Sequence, residues 1–191
     1  MALTDNIFCE DCIDDICAAA AFPVAIDYAA HCEESNDDLI SEIFFTDQAH
    51  PLTADPAIAG SWAPRLSNTT TTGNPIRSIL VPKFTKPRVD GAVKTSIDGN
   101  RSKLIDVDRT ITGLIDDDSD EMYDLMKTLQ CNGNVLFWYR AGKHIYGGQS
   151  GIKGSMRPAY GIVDEDGFAH KWGLTIGWRA KCEEPRVLAA I

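Results

Sequence analysis

Strict alternation of apolar and polar residues marks the last third of the chain. From His170 to Cys182 every second residue faces one side, which carries Trp172, Leu174, Ile176 and Trp178. A period of two over this length predicts a long, half-buried antiparallel strand. By the same pattern, further strands are predicted at Arg77–Lys86, Val135–Arg140, His144–Tyr146 and Met156–Val163.

A long β-hairpin is predicted between Lys94 and Ile115. The turn is Asp98-Gly99-Asn100, because glycine accepts the positive φ angles that a tight turn needs. In the returning strand, apolar residues alternate with acids and threonines, so that one face is expected to be buried. The apolar positions are Ile105, Val107, Ile111 and Ile115.

One helix is predicted at about residues 119–130. Acids crowd its N-terminal end, where the helix dipole favours them, and Asp118 and Glu121 have capping-box spacing. Asn132-Gly133 is typical of a helix C-cap. The expected buried stripe is Met122, Leu125, Met126 and Leu129.

These elements predict a mainly β chain: an antiparallel β-sandwich or partial barrel in residues 75–191, with a long hairpin and one packed helix. Residues 1–74 are expected to form an acidic N-terminal arm or subdomain with a linker. A helix is predicted from about Asp5 to Ala21, and Leu39–Phe45 is ambiguous between strand and helix. The Pro-, Ser- and Thr-rich stretch from Thr46 to Asn74 is expected to be a loop or linker.

Charge separates the same two regions. The chain has 191 residues and a formal net charge of -10. Met1–Pro64 contains 13 acidic residues and no Lys or Arg, which leaves 15 acids against 18 bases in the remainder. An acidic chain is a poor candidate for gripping phosphates. The bases that flank the hairpin could equally pair with the acidic arm of a neighbouring copy; they are Lys83, Lys86, Arg88, Lys94, Arg101 and Lys103.

No export signal or apolar membrane span is visible, so we expect a protein kept in a reducing cytoplasm, with its six cysteines as thiols. Cys9, Cys12, Cys17 and Cys32 leave open a cytoplasmic metal-binding adaptor, although their spacing fits a zinc site loosely. We therefore predict no metal and no cofactor.

Candidate catalytic motifs are weak. The glycine-rich stretch Gly147–Ser155 lacks the spacing of a phosphate-binding loop, and we interpret it as a mobile or intersubunit loop. The acidic run before the helix lacks the ligand pattern of an EF-hand. Without a nucleophile elbow, an enzyme is not expected. A hydrolase whose triad is assembled only by the fold remains a third hypothesis.

From Arg77 onward the order of elements resembles the tail tube proteins of tailed bacteriophages. The matching segments are the hairpin KPRVDGAVKTSIDGNRSKLIDVDRTITGLI, the helix SDEMYDLMKTLQ, the aromatic strand NVLFWYRAGKHIYGG and the late strand KWGLTIGWRAKCEEP. The resemblance covers about the last 115 residues and is one of pattern. It implies a β-sandwich subunit that closes into a ring, commonly hexameric, and rings that stack into a conduit for DNA.

The resulting prediction is a virion structural protein that is assembled in the host cytoplasm. Its partners would be copies of itself and other virion proteins, with only non-specific contact with passing DNA and none with membrane. A neck, connector or tail-completion ring is the alternative within this class. The predicted assembly contacts are Asp98, Gly99, Asn100, Gly147, Gly148, Gly151 and Gly154.

Overall fold

The computed structural model of the chain is mainly β, with antiparallel sheets, as the alternating pattern predicts. It describes residues 39–68, 74–87, 92–97, 99, 102–115, 117, 119–162 and 171–191. The predicted helix at residues 5–21 and the acidic arm as far as residue 38 lie outside this part of the chain. The same holds for Asp98, Asn100 and His170.

The strands of the described part are β1 (Leu39–Asp47), β2 (Arg77–Thr85), β3 (Ala92–Thr95), β4 (Ser102–Ile105), β5 (Val107–Ile115), β6 (Asn134–Ala141), β7 (His144–Tyr146), β8 (Ile152–Ile162), β9 (Lys171–Ala180) and β10 (Arg186–Leu188). The α-helices are α1 (Ala63–Leu66) and α2 (Asp120–Cys131), with a 3-10 turn at Ala59–Ser61.

One large antiparallel sheet contains all of these strands except β3 and β4. Its order is β2-β1-β6-β8-β9-β5. One edge of β6 pairs with β1, while its other edge pairs first with β8 and then with β7, which in turn pairs with β10. β6 therefore has neighbours on both sides, and five consecutive residues of it, Val135–Tyr139, are buried.

The two end strands of this order, β2 and β5, lie beside each other. The ladders of the described residues do not include a β2–β5 pair, and side chains fill the seam. A Cβ atom on Gly113 of β5 would lie 1.9 Å from the ring of Phe84 in β2. The sheet is thus a partial barrel that closes by packing, and glycine is required where the ring crosses β5.

The core has two parts. The larger cluster fills the inner side of the curled sheet, and it includes Trp172, Leu174, Ile176 and Trp178 of β9 together with Met126 and Leu129 of α2. The predicted faces of β9 and of the helix are therefore confirmed. The smaller cluster contains Phe44, Leu52, Trp62, Ile76, Leu136, Trp138 and Ile145.

Residues 39–68 contradict the predicted domain boundary near residue 74. β1 pairs with both β2 and β6, and Trp62 is fully buried, with its indole nitrogen donating to the Pro56 carbonyl at 2.8 Å. Arg65 donates to the carbonyls of His50, Pro51 and Asn74. The described part of the expected linker, as far as residue 68, therefore belongs to the β-domain, because Leu52 and Trp62 pack on Phe44 of β1 and on Leu136 and Trp138 of β6.

Smaller corrections concern element ends. The cap of α2 is Ser119, whose hydroxyl accepts from the Met122 amide, and not Asp118. Gly133 does not adopt a left-handed conformation; it lets β8 approach, because its Cβ would lie 2.1 Å from the Met156 carbonyl oxygen. β8 begins at Ile152, inside the glycine-rich stretch, and β10 was not predicted.

Candidate assembly interface

The β3–β4 hairpin is mostly exposed, and the rest of the described chain covers little of it. It forms a two-stranded sheet of its own, with Ala92 opposite Ile105 and Thr95 opposite Ser102. The hairpin has no extensive contact with another described strand or helix. Gly99 lies in the turn with a φ of 72°, the positive angle expected of a glycine at this position. An isolated hairpin of this size is marginally stable in water, so its exposed faces are candidates for contact with a partner.

Two features of the hairpin are unfavourable in an isolated subunit. Ile97 beside the turn is fully exposed, and Val93 exposes half of its surface. Lys94 and Lys103 are both exposed and stand directly opposite each other, which destabilises a strand pair. A surface that covers the apolar side chains and carries negative charge would relieve both features.

The glycine-rich loop between β7 and β8, the second predicted contact, packs closely around Trp138. Gly147 is buried, and a Cβ on it or on Gly151 would lie 2.7 Å and 2.8 Å from the indole. The indole nitrogen donates to the Gly148 carbonyl at 2.7 Å. Gly154 belongs to β8, where a Cβ would meet the ring of Phe137 at 2.6 Å. Gly147, Gly151 and Gly154 therefore make room for aromatic rings. The interpretation of this stretch as a mobile or intersubunit loop stays a prediction.

A buried charge cluster lies at the start of β5, directly after the hairpin. The Arg109 guanidinium is 2% exposed and donates to Glu184 at 2.5 Å and to the Cys182 carbonyl at 2.5 Å. Glu184 also accepts from the Trp178 indole nitrogen at 2.6 Å and from the Tyr139 hydroxyl at 3.4 Å. Burial of an ion pair requires such additional hydrogen bonds, because both ions lose their hydration.

A second ion pair lies at Lys86, which follows the last residue of β2 and precedes the first residue of β3 by six positions. The Lys86 ammonium is 2.6 Å from Glu183 and 4.2 Å from the centre of the Tyr146 ring. Burial lowers the pKa of Lys86, but the hydrogen bond and charge of Glu183, followed by Tyr146, outweigh burial and raise the pKa above its usual value. Lys86 thus has a partner within its own subunit. From the sequence alone, we considered only a partner in a neighbouring copy for this residue.

Tyr139 links the two ion pairs. Its ring stacks on Tyr146 with centroids 4.8 Å apart, and burial, followed by the charges of Glu184 and Glu183, raises the pKa of its hydroxyl far above the usual value. The hydroxyl therefore stays protonated and can donate to Glu184. The charged groups of the cluster are Arg109, Glu184, Lys86 and Glu183, and each has a hydrogen-bond or ion-pair partner within the protein. The cluster is therefore suited to holding polypeptide segments together.

The cysteines Cys9, Cys12, Cys17 and Cys32 of the adaptor hypothesis lie outside the described residues. Cys182 is disulfide-bonded, which corrects the expectation that all six cysteines are thiols, while Cys131 is free and exposed. Among the described residues, no three His, Cys, Asp or Glu side chains are grouped as metal ligands.

None of the helices in the described part of the chain has the length and apolarity of a membrane span. Comparisons with protein-family models, with curated proteins and with solved structures find no match to this chain.

The Glu183–Glu184 pair and Arg109 were missed by the sequence analysis. In the sequence, two acids after a strand look like an ordinary solvated turn, and Arg109 looks like one polar residue of an alternating strand. One signal was available: Arg109 falls on the same face as Val107 and Ile111, the apolar face that we expected to be buried. A base on that face predicts a buried acidic partner.

Proposed function

We propose that this chain is a self-assembling structural subunit, and that it acts as a tail tube protein of a bacteriophage. The observation that carries the proposal is the β3–β4 hairpin, which exposes Ile97 and Val93 and packs on no described element extensively. Such a hairpin gains stability when it adds to a neighbouring sheet or packs on a neighbouring surface. The pattern resemblance to tail tube proteins is compatible with a large curled sheet that bears the β3–β4 hairpin, with four residues in each strand, and the packed helix α2.

The charge distribution supports association between identical copies. Lys94 and Lys103 place two positive charges side by side on the hairpin, whereas the chain as a whole has a net charge of -10. A second copy therefore offers abundant negative charge, including the 13 acids of residues 1–64. Contact between a hairpin and a different surface of the next copy is heterologous, so it generates a ring when the rotation closes and a filament when it does not.

Assembly of the full chain is the direct test. Negative-stain electron microscopy and light scattering should show rings or tubes with a central channel and a mass that is a multiple of 20.9 kDa. Stacked tubes would favour the tail tube, whereas single rings would favour the connector or tail-completion alternative. A monomer at high concentration would contradict the proposal.

The contact assignment needs a separate variant. Replacement of residues 92–105 by a short Gly-Ser linker should leave a folded monomer, because the hairpin contributes little to the core. A control variant with Lys153→Ser on the exposed face of β8 should assemble normally. If the hairpin variant assembled like the unmodified chain, the hairpin would not be the contact.

A further inference from the structure

We propose that Glu183 and Glu184 are positioning residues for the hairpin: each holds one of the two points where the hairpin joins the sheet. This inference rests on the proposed function, because it gives the orientation of the hairpin a role in assembly. The proposed assembly contact would then depend on two parts of the subunit: the hairpin, and the segment after β9 that positions it.

The strand topology explains why side chains are needed to position the hairpin. The hairpin leaves the sheet after β2 and returns into β5, the two strands that end the strand order. No ladder of the described residues joins β2 to β5, so backbone hydrogen bonds do not fix the distance between the two attachment points. Phe84 and Gly113 close the seam farther along β5, at a point four residues beyond Arg109.

Glu184 holds the β5 attachment point. Its carboxylate contacts Arg109 at 2.5 Å and is itself fixed by the Trp178 indole at 2.6 Å. The other end of the Arg109 guanidinium donates to the Cys182 carbonyl, so the arginine is held by two residues of the same segment. Arginine is suited to this role because its planar fork binds two acceptors in a fixed geometry.

Glu183 holds the β2 attachment point through Lys86 at 2.6 Å. The segment that carries both glutamates is fixed in turn to β7: the Gly147 amide donates to the Pro185 carbonyl at 2.9 Å, and β10 pairs with β7. Because Glu183 and Glu184 are adjacent in the chain, one short segment contacts both attachment points. The hairpin direction is thereby tied to the segment that follows β9.

Lys86 is the residue to test, because its side chain is 22% exposed and its replacement does not leave a charge in the core. Lys86→Gln and Glu183→Gln remove the ion pair, Lys86→Arg keeps it, and the double variant tests whether both act through one contact. Asp108→Asn is the matched control, since it breaks the exposed Asp108–Arg179 pair one residue away from Arg109.

Hydrogen exchange of the hairpin peptides and the concentration for half-maximal assembly are both measured, together with the melting temperature. We expect Lys86→Gln and Glu183→Gln to raise the exchange rate of the β3–β4 peptides severalfold and the half-assembly concentration about tenfold. The double variant should match each single variant, while Lys86→Arg and Asp108→Asn should match the unmodified chain.

Unchanged exchange and unchanged assembly in Lys86→Gln would overturn the positioning role and leave the proposed function intact. Loss of assembly in proportion to a lowered melting temperature would also overturn it, because that result describes a purely structural pair. If the unmodified chain does not assemble, the proposed function fails, and the exchange measurement alone decides whether the two glutamates position the hairpin.

Discussion

The large sheet and the β3–β4 hairpin are built from the same antiparallel pairing, yet they bury their side chains to opposite extents. In the sheet, β1, β6 and β9 each bury most or all of one face, and five consecutive residues of β6 are buried. In the hairpin, Val93, Lys94 and Thr95 are exposed, as are Ser102 and Lys103. Local pairing alone therefore does not distinguish a stable element from one that needs a partner.

The two regions also treat charge differently. Within the body, Arg109 and Glu184 are buried and paired, and each has a further hydrogen-bond partner. On the hairpin, Lys94 and Lys103 are exposed and face each other. This contrast suggests that substitutions in the body will change the free energy of unfolding, and that substitutions in the hairpin will change association.

The largest effect is expected from Glu184→Gln. Removing the carboxylate leaves the Arg109 charge buried without its counter-ion, which costs about 3–5 kcal/mol in the free energy of unfolding. Urea denaturation followed by tryptophan fluorescence measures this value. Asp108→Asn, which breaks an exposed ion pair on the same strand, should change it by less than about 0.5 kcal/mol. Equal effects of the two variants would contradict the assignment of a buried cluster.

A smaller loss is expected from Gly113→Ala. The new methyl group would lie 1.9 Å from the ring of Phe84, and overpacking of this kind costs about 1–3 kcal/mol. Gly177→Ala on the neighbouring strand is the control, because its Cβ would have its nearest contact at 3.7 Å. Thermal denaturation should therefore separate the two variants. A Gly113→Ala protein as stable as the control would mean that the seam between β2 and β5 can open.

A pH titration tests the cluster formed by Tyr139, Lys86 and the two glutamates. The pKa values of Tyr139 and Lys86 are raised in the folded chain, so the stability that each contributes is present below the unfolded values of 10.0 and 10.5. It is lost as the pH rises through the folded values. The urea midpoint should therefore fall as the pH increases above 10. Tyr139→Phe should make this fall shallower, and an equally steep fall in that variant would contradict the role of Tyr139.

The smallest effect on stability is expected in the hairpin. Val93→Ser and Ile97→Ser replace exposed apolar side chains and should change the free energy of unfolding by less than about 0.5 kcal/mol. The same variants should weaken assembly, as measured by sedimentation velocity. Unchanged assembly in the double variant would remove the apolar hairpin contact from the proposal.

Elements with a strong local period were predictable. The alternation of β9 and the apolar stripe of α2 each follow from the repeat of their own backbone, which places every second residue of a strand, or every third and fourth residue of a helix, on one side. β1 was ambiguous because it pairs on both edges and buries a continuous run, Ile43–Thr46, which has no period of two. Its membership in the sheet also corrects the predicted domain boundary.

By itself, then, the sequence determined the fold class, the turn at Gly99, and the buried faces of β9 and α2, because these depend on residues close together in the chain. The predicted long returning strand of the hairpin was right only in part, because β4 pairs with β3 whereas β5 pairs with β9 in the large sheet. Only the tertiary structure decided what the glycines around Trp138 do and what Glu183 and Glu184 bind. Arg109 and Glu184 are 75 residues apart in the sequence, and the residues next to each of them do not indicate which residue it contacts. The physical reason is that an ion pair affects the free energy of unfolding strongly only where it is buried, and the burial of Arg109 and Glu184 results from the packing of the folded sheet.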